Sequence, residues 1–174
     1  MRRALFPLVA GLGIVFGLTA AVEVHAASTT LFYPTQDEAS FSLVVPGDWE
    51  IEQAEEEGGF VTLNGPSGAQ LSFRTVAAQK DELDAAIEQT VGWVGENYDS
   101  VKIDKATDAE ENGIKGFSAA GTGKTKDDGS PVVFVMEWLI LDNGQLAEVW
   151  FCVDGNDKAG LAAAGRIMKS FRAR

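Results

Sequence analysis

The sequence predicts an α+β fold, an antiparallel sheet of about six to eight strands sandwiched by two main helices, on two observations. Runs of alternating apolar and polar residues, each closed by Gly, Pro, Asn or Asp, recur from Phe41 to Asp154. Two stretches, after Asp81 and after Asp157, replace that alternation with a helical period.

Taken in order, Phe41–Val45 alternates and Pro46-Gly47-Asp48 ends it, after which Trp49–Gln53 resumes. Glu55-Glu56-Glu57-Gly58-Gly59 has the composition of a solvated hairpin loop. Phe60–Leu63, the turn Asn64–Gly68 and a strand over Gln70–Val76 complete an antiparallel meander. A helix follows, with Asp81 as its expected N-cap and Leu83, Ile87, Val91, Val94 and Tyr98 on one face. Strands return over Val101–Lys105, Gly113–Ala120, Val132–Leu141 and Gln145–Asp154, and the closing helix spans Asp157–Phe171 with Leu161, Ala164, Met168 and Phe171 inward.

Asp142-Asn143-Gly144-Gln145 lies between two apolar runs. An Asn-Gly pair there favours a two-residue type I′ turn, which would set Asp142 opposite Gln145. Trp138 then faces Val149, and Met136 faces Phe151, on a wholly apolar face. The other face pairs Glu137 with Trp150, Leu139 with Glu148 and Leu141 with Leu146. It is mixed, so Glu137, Leu139, Leu146, Glu148 and Trp150 are the candidate binding residues. Glu137 and Glu148 would be diagonal neighbours, either an acid/base pair or two strand carboxylates balanced by Arg74 or a lysine.

The chain has 174 residues, 14 basic and 26 acidic side chains and a net charge of −12, with 45% hydrophobic residues. That apolar content supports one folded domain, and the acidity argues against nucleic acid as partner, because counterion release needs a basic patch. Arg2-Arg3, the apolar run Ala4–Val22 and Val24-His25-Ala26 form a signal peptide over residues 1–26, leaving a domain over 27–174. An uncleaved inner-membrane anchor through residues 4–22 is the alternative. The expected location is therefore periplasmic or secreted, with no membrane contact after cleavage.

The sole histidine, His25, lies inside that segment, so the mature domain has no Ser-His-Asp or Cys-His apparatus. Cys152, the sole cysteine, sits in an apolar strand and reads as a small hydrophobe. Gly121-Thr-Gly-Lys-Thr125 ends like a phosphate loop but lacks the first glycine and the following helix. Lys126–Gly129 and Asp154–Asp157 lack the ligand spacing of a calcium loop and read as turns and caps. No cofactor, no metal and no catalytic residue is expected.

Phe41-Ser-Leu-Val-Val-Pro-Gly-Asp-Trp49, the turn Gly65-Pro-Ser-Gly-Ala69, the mid-chain helix and the closing Ile167-Met-Lys-Ser-Phe171 together resemble the PsbP-like superfamily, including bacterial periplasmic DcrB-like proteins, over residues 38–172. The resemblance implies an antiparallel sheet between helices and a protein that binds partners without a catalytic centre. The function expected is that of a non-enzymatic exported binding or accessory protein whose partner is an unidentified envelope protein. A small apolar-ligand carrier and a carboxylate-based secreted hydrolase remain as alternatives.

Overall fold

The computed structural model describes residues 27–54, 56 and 58–174. The expected signal peptide lies outside the described residues, as do Glu55 and Glu57 of the expected acidic loop.

Eleven strands and two α-helices make up the described chain: β1 (Thr29–Tyr33), β2 (Phe41–Val45), β3 (Glu50–Glu52), β4 (Val61–Asn64), β5 (Gln70–Ala77), α1 (Lys80–Asn97), β6 (Tyr98–Ile103), β7 (Thr107–Glu111), β8 (Ile114–Thr125), β9 (Pro131–Ile140), β10 (Gln145–Asp154), α2 (Lys158–Lys169) and β11 (Arg172–Ala173). An eight-stranded sheet has the order β3-β4-β5-β10-β9-β8-β6, with β7 also paired to β8, and a separate three-stranded sheet has the order β1-β2-β11. Every ladder is antiparallel. The α+β architecture with two main helices is as expected. The short strands β1, β7 and β11 were not expected.

The two faces of the large sheet bury different cores. Side chains alternate along a strand, so Phe134, Met136 and Trp138 of β9 share one face with Trp150 and Cys152 of β10, under Val94 of α1. On the opposite face Leu139, Val149, Phe151 and Val153 pack with Phe41 and Leu43 of β2 and with Ala164, Ile167 and Met168 of α2. The molecule is thus α1, then the large sheet, then a third layer shared by α2 and the small sheet.

The β9–β10 turn differs from the type I′ expectation. The Leu141 N–H donates to the Gln145 carbonyl at 2.9 Å, and the Gly144 N–H donates to the Leu141 carbonyl at 3.4 Å. The loop therefore has three residues, Asp142, Asn143 and Gly144, and Ile140 faces Leu146. Gly144 alone carries a positive φ, 76°, whereas a type I′ turn needs one at both central positions. Asn143 instead has no positive φ, and its Oδ1 accepts the Gln145 N–H at 3.1 Å. Glu148 consequently pairs with Trp138 and Glu137 with Val149. A one-residue slip exchanges the faces of one strand relative to the other, so the expected partition into an apolar and a mixed face is corrected.

Helix α1 starts differently from expectation, and both helices bury partly different residues. The N-cap of α1 is Gln79, without a side-chain cap bond, rather than Asp81, which lies in the first turn. Val91 is exposed, and Ala86, Thr90 and Val94 are the buried positions. In α2 the Asp157 carboxylate caps as composition implied, accepting the Gly160 N–H at 2.9 Å, but Leu161 is exposed and Ile167 is buried. The Gly121–Thr125 segment is the end of β8, where a Cβ on Gly121 would overlap the Phe134 ring, so packing accounts for that glycine.

Candidate functional site

The five candidate residues do not form one surface. By strand alternation Leu146, Glu148 and Trp150 point to the α1 side, whereas Glu137 and Leu139 point to the α2 side. Leu139, Leu146 and Trp150 are buried, at 0%, 3% and 6% exposure.

Glu148 is 1% exposed, and its charge is matched: Arg74 Nε donates to Oε2 at 2.5 Å and Thr90 Oγ1 donates to Oε1 at 2.6 Å. The pairing with Arg74 is the one anticipated from sequence. β5 places Arg74 directly opposite Glu148 in the β5–β10 ladder, and α1 lays Thr90 over both. Glu137, half-buried on the other face, has no such partner among the described residues. Burial, followed by the charge of Glu111, pushes its carboxyl up to about 7. Cys152 is buried, with the Tyr98 hydroxyl 3.4 Å from its sulfur, and burial pushes its thiol up, away from nucleophilic character.

Beside Arg74 the α1 face opens into a groove of about 630 Å³. Its floor is Thr62 of β4, Gln70, Ser72 and Arg74 of β5, and Trp150 of β10; Gln89, Thr90 and Trp93 of α1 form one wall; Glu52 of β3 with Glu56, Gly58, Gly59 and Phe60 form the other. The groove exists because one helix covers only part of an eight-stranded sheet, leaving the β3–β4–β5 end uncovered.

The floor is knitted together. Thr62 and Ser72 hydroxyls lie 2.9 Å apart, Gln70 Nε2 donates to Asn64 Oδ1 at 3.0 Å, and Asn64 Nδ2 donates to Glu52 Oε2 at 3.2 Å. Arg74 Nη1 donates to Gln89 Oε1 at 3.1 Å, and its guanidinium lies 4.5 Å from the Phe60 ring centroid. Trp93 stands edge-on to Trp150 at 5.6 Å and near Tyr98 at 6.0 Å, with 46% of its surface exposed.

Of the sequence candidates only Trp150 lines this groove, with Glu148 beneath it. Trp93, Arg74 and Phe60 were not singled out as binding residues. Trp93 alone left a trace in the sequence, as an aromatic residue off the expected apolar face of α1. Among the described residues no group of three or more His, Cys, Asp or Glu stands close enough to hold a metal, and no helix is long and apolar enough to cross a membrane.

No family model and no curated protein matches the chain. The fold does match solved structures. PsbP (CyanoP) of Synechocystis sp. PCC 6803 is similar at 14% identity and a TM-score of 0.60, over 97% of this chain and 98% of that one. The Ran-binding protein Mog1p of Saccharomyces cerevisiae is similar at 8% identity and a TM-score of 0.55, over 85% of this chain and 96% of that one. A protein of Bacteroides thetaiotaomicron is similar at 14% identity and a TM-score of 0.55; 83% of this chain is matched and spans 48% of that longer one. The chain therefore has the PsbP-like fold that its sequence resembles.

Proposed function

We propose that the chain is a non-enzymatic exported binding or accessory protein that works through protein–protein contacts. One observation carries this reading: the groove beside Trp150 is walled by aromatic side chains over a floor whose polar groups bond one another, with no base poised over a nucleophile among the described residues. Such a surface supports recognition rather than turnover. Glu148 is held by Arg74 and Thr90, and Glu137 lies on the far side of the sheet, so the two carboxylates cannot act on one substrate. Mog1p, of like fold, is by name a Ran-binding protein, which supports the binding class without naming a partner here. A carrier of small apolar ligands would need an enclosed apolar cavity, whereas this groove is open and its floor is mostly polar. Export rests on the N-terminal sequence 1–26.

The test is chemical crosslinking and affinity capture of the tagged full chain from its native envelope. Reproducible recovery of one or a few envelope proteins is expected. Recovery of none, with only small molecules retained in native mass spectrometry, would overturn the reading in favour of a carrier.

A further inference from the structure

We propose that the groove between α1 and the β3–β5 end of the large sheet is the contact site, and that it takes a lysine or arginine side chain from an extended basic segment of the partner protein. The proposal rests on the binding function above and adds the site and the chemistry.

Trp93 is the starting point. An indole is a large apolar surface that folding ordinarily buries, yet Trp93 keeps 46% of its surface in water on the groove wall. It is not loose: Trp150 and Tyr98 brace it edge-on at 5.6 and 6.0 Å. A ring fixed in that way offers a face to a ligand at little entropic cost.

The charge of the groove then selects the ligand. Its only cation among the described lining residues, Arg74, has its counter-ion in Glu148 at 2.5 Å, and so adds no net positive field. The carboxylates on the rim, Glu52 and Glu56, have no cation against them among the described residues, and Glu52 is positioned by Asn64. A negative rim above an aromatic wall suits a cation with an apolar stem, because the ring face attracts the charge and the methylenes cover the indole. Lysine and arginine have that form. A volume of about 630 Å³ exceeds one side chain, and the open mouth lets the flanking backbone of a longer chain pass through. The net charge of −12 would draw such a segment in from a distance.

The experiment titrates the full chain with N-acetylated, amidated tetralysine and with tetraserine as control, following tryptophan fluorescence at low salt. Saturable binding of tetralysine and none of tetraserine is expected. Trp93→Ala should weaken it at least tenfold, and the double variant E52Q/E56Q, confined to exposed side chains, should do the same without touching the core. Glu110→Gln on distant β7 should bind as the wild type does. Binding of equal strength in Trp93→Ala and E52Q/E56Q would overturn the proposal, since it would report only diffuse attraction to an acidic protein. Tetramethylammonium binding as tightly as tetralysine would also overturn it, by making the occupant a free small cation. Envelope capture separates the two levels: a partner retained undiminished by both variants refutes the groove and leaves the binding function standing, whereas no partner for the wild type refutes the binding function itself.

Discussion

Glu148 and Glu137 are eleven positions apart on paired strands and show what burial does to a carboxylate with and without a partner. Glu148, at 1% exposure, has its lost water replaced by Arg74 and Thr90. Removing one member of such a pair leaves the other charge stranded. Glu148→Ala is therefore expected to cost about 3–5 kcal/mol, and the double change Glu148→Leu with Arg74→Met to recover most of that, as read by urea denaturation. Glu137 is the opposite case: its carboxyl is raised from 4.5 to about 7 by burial and by Glu111. Below pH 4.5 it is protonated in both folded and unfolded chains. Between there and pH 7 only the unfolded chain ionises, so stability falls as pH rises and levels off above 7. Glu137→Gln should remove that decline, roughly 1–2 kcal/mol once solvent screening of a half-buried group is allowed for, and should raise the melting temperature at pH 8 but not at pH 4.

At the scale of elements, the long strands and both helices were legible because period-2 and period-3.6 patterns are written into β9, β10, α1 and α2. The register of β9 on β10 was not. Asn-Gly serves both a two-residue turn and a three-residue loop with glycine last, and the structure takes the second, with Asn143 outside the positive-φ region and its Oδ1 accepting the Gln145 N–H. Gly144→Val should still lower stability by about 1–2 kcal/mol in thermal melts, since φ of 76° strains any β-branched residue. Strands β7 and β11 escaped because they are short and borrow their order from the longer β8 and β2. Helix α1 begins on Gln79, whose side chain caps nothing. Gln79→Asp should stabilise the protein by about 0.5–1 kcal/mol, with a raised melting temperature as the check.

For the whole molecule, the slip in register decided how much of the site could be read. Placing Glu137 with Trp150 required one face for residues that belong to two, and the groove depends on side chains far apart in the sequence, Phe60, Arg74 and Trp93, whose meeting no local pattern encodes. Export makes a separate prediction: intact-mass measurement of the mature protein should show cleavage between Ala26 and Ala27, and recovery of residues 1–26 in a membrane fraction would make it anchored instead.

The small sheet joins β2 to β11 through pairs such as Phe41 with Ala173, and Phe171 stacks on Phe41 at 4.8 Å between ring centroids. These contacts close a loop of more than a hundred residues, so they are among the costliest to form before the rest of the chain is in place. The large sheet can assemble from neighbouring hairpins, but the third layer must wait for both of its distant strands. Until then the apolar face of Leu139, Val149 and Phe151 lacks its cover and β2 lacks a neighbour on one side. A nascent chain is thus most prone to associate with its own kind in the interval before residues 171–173 arrive, and a variant in which those residues are deleted would hold the protein in that vulnerable state.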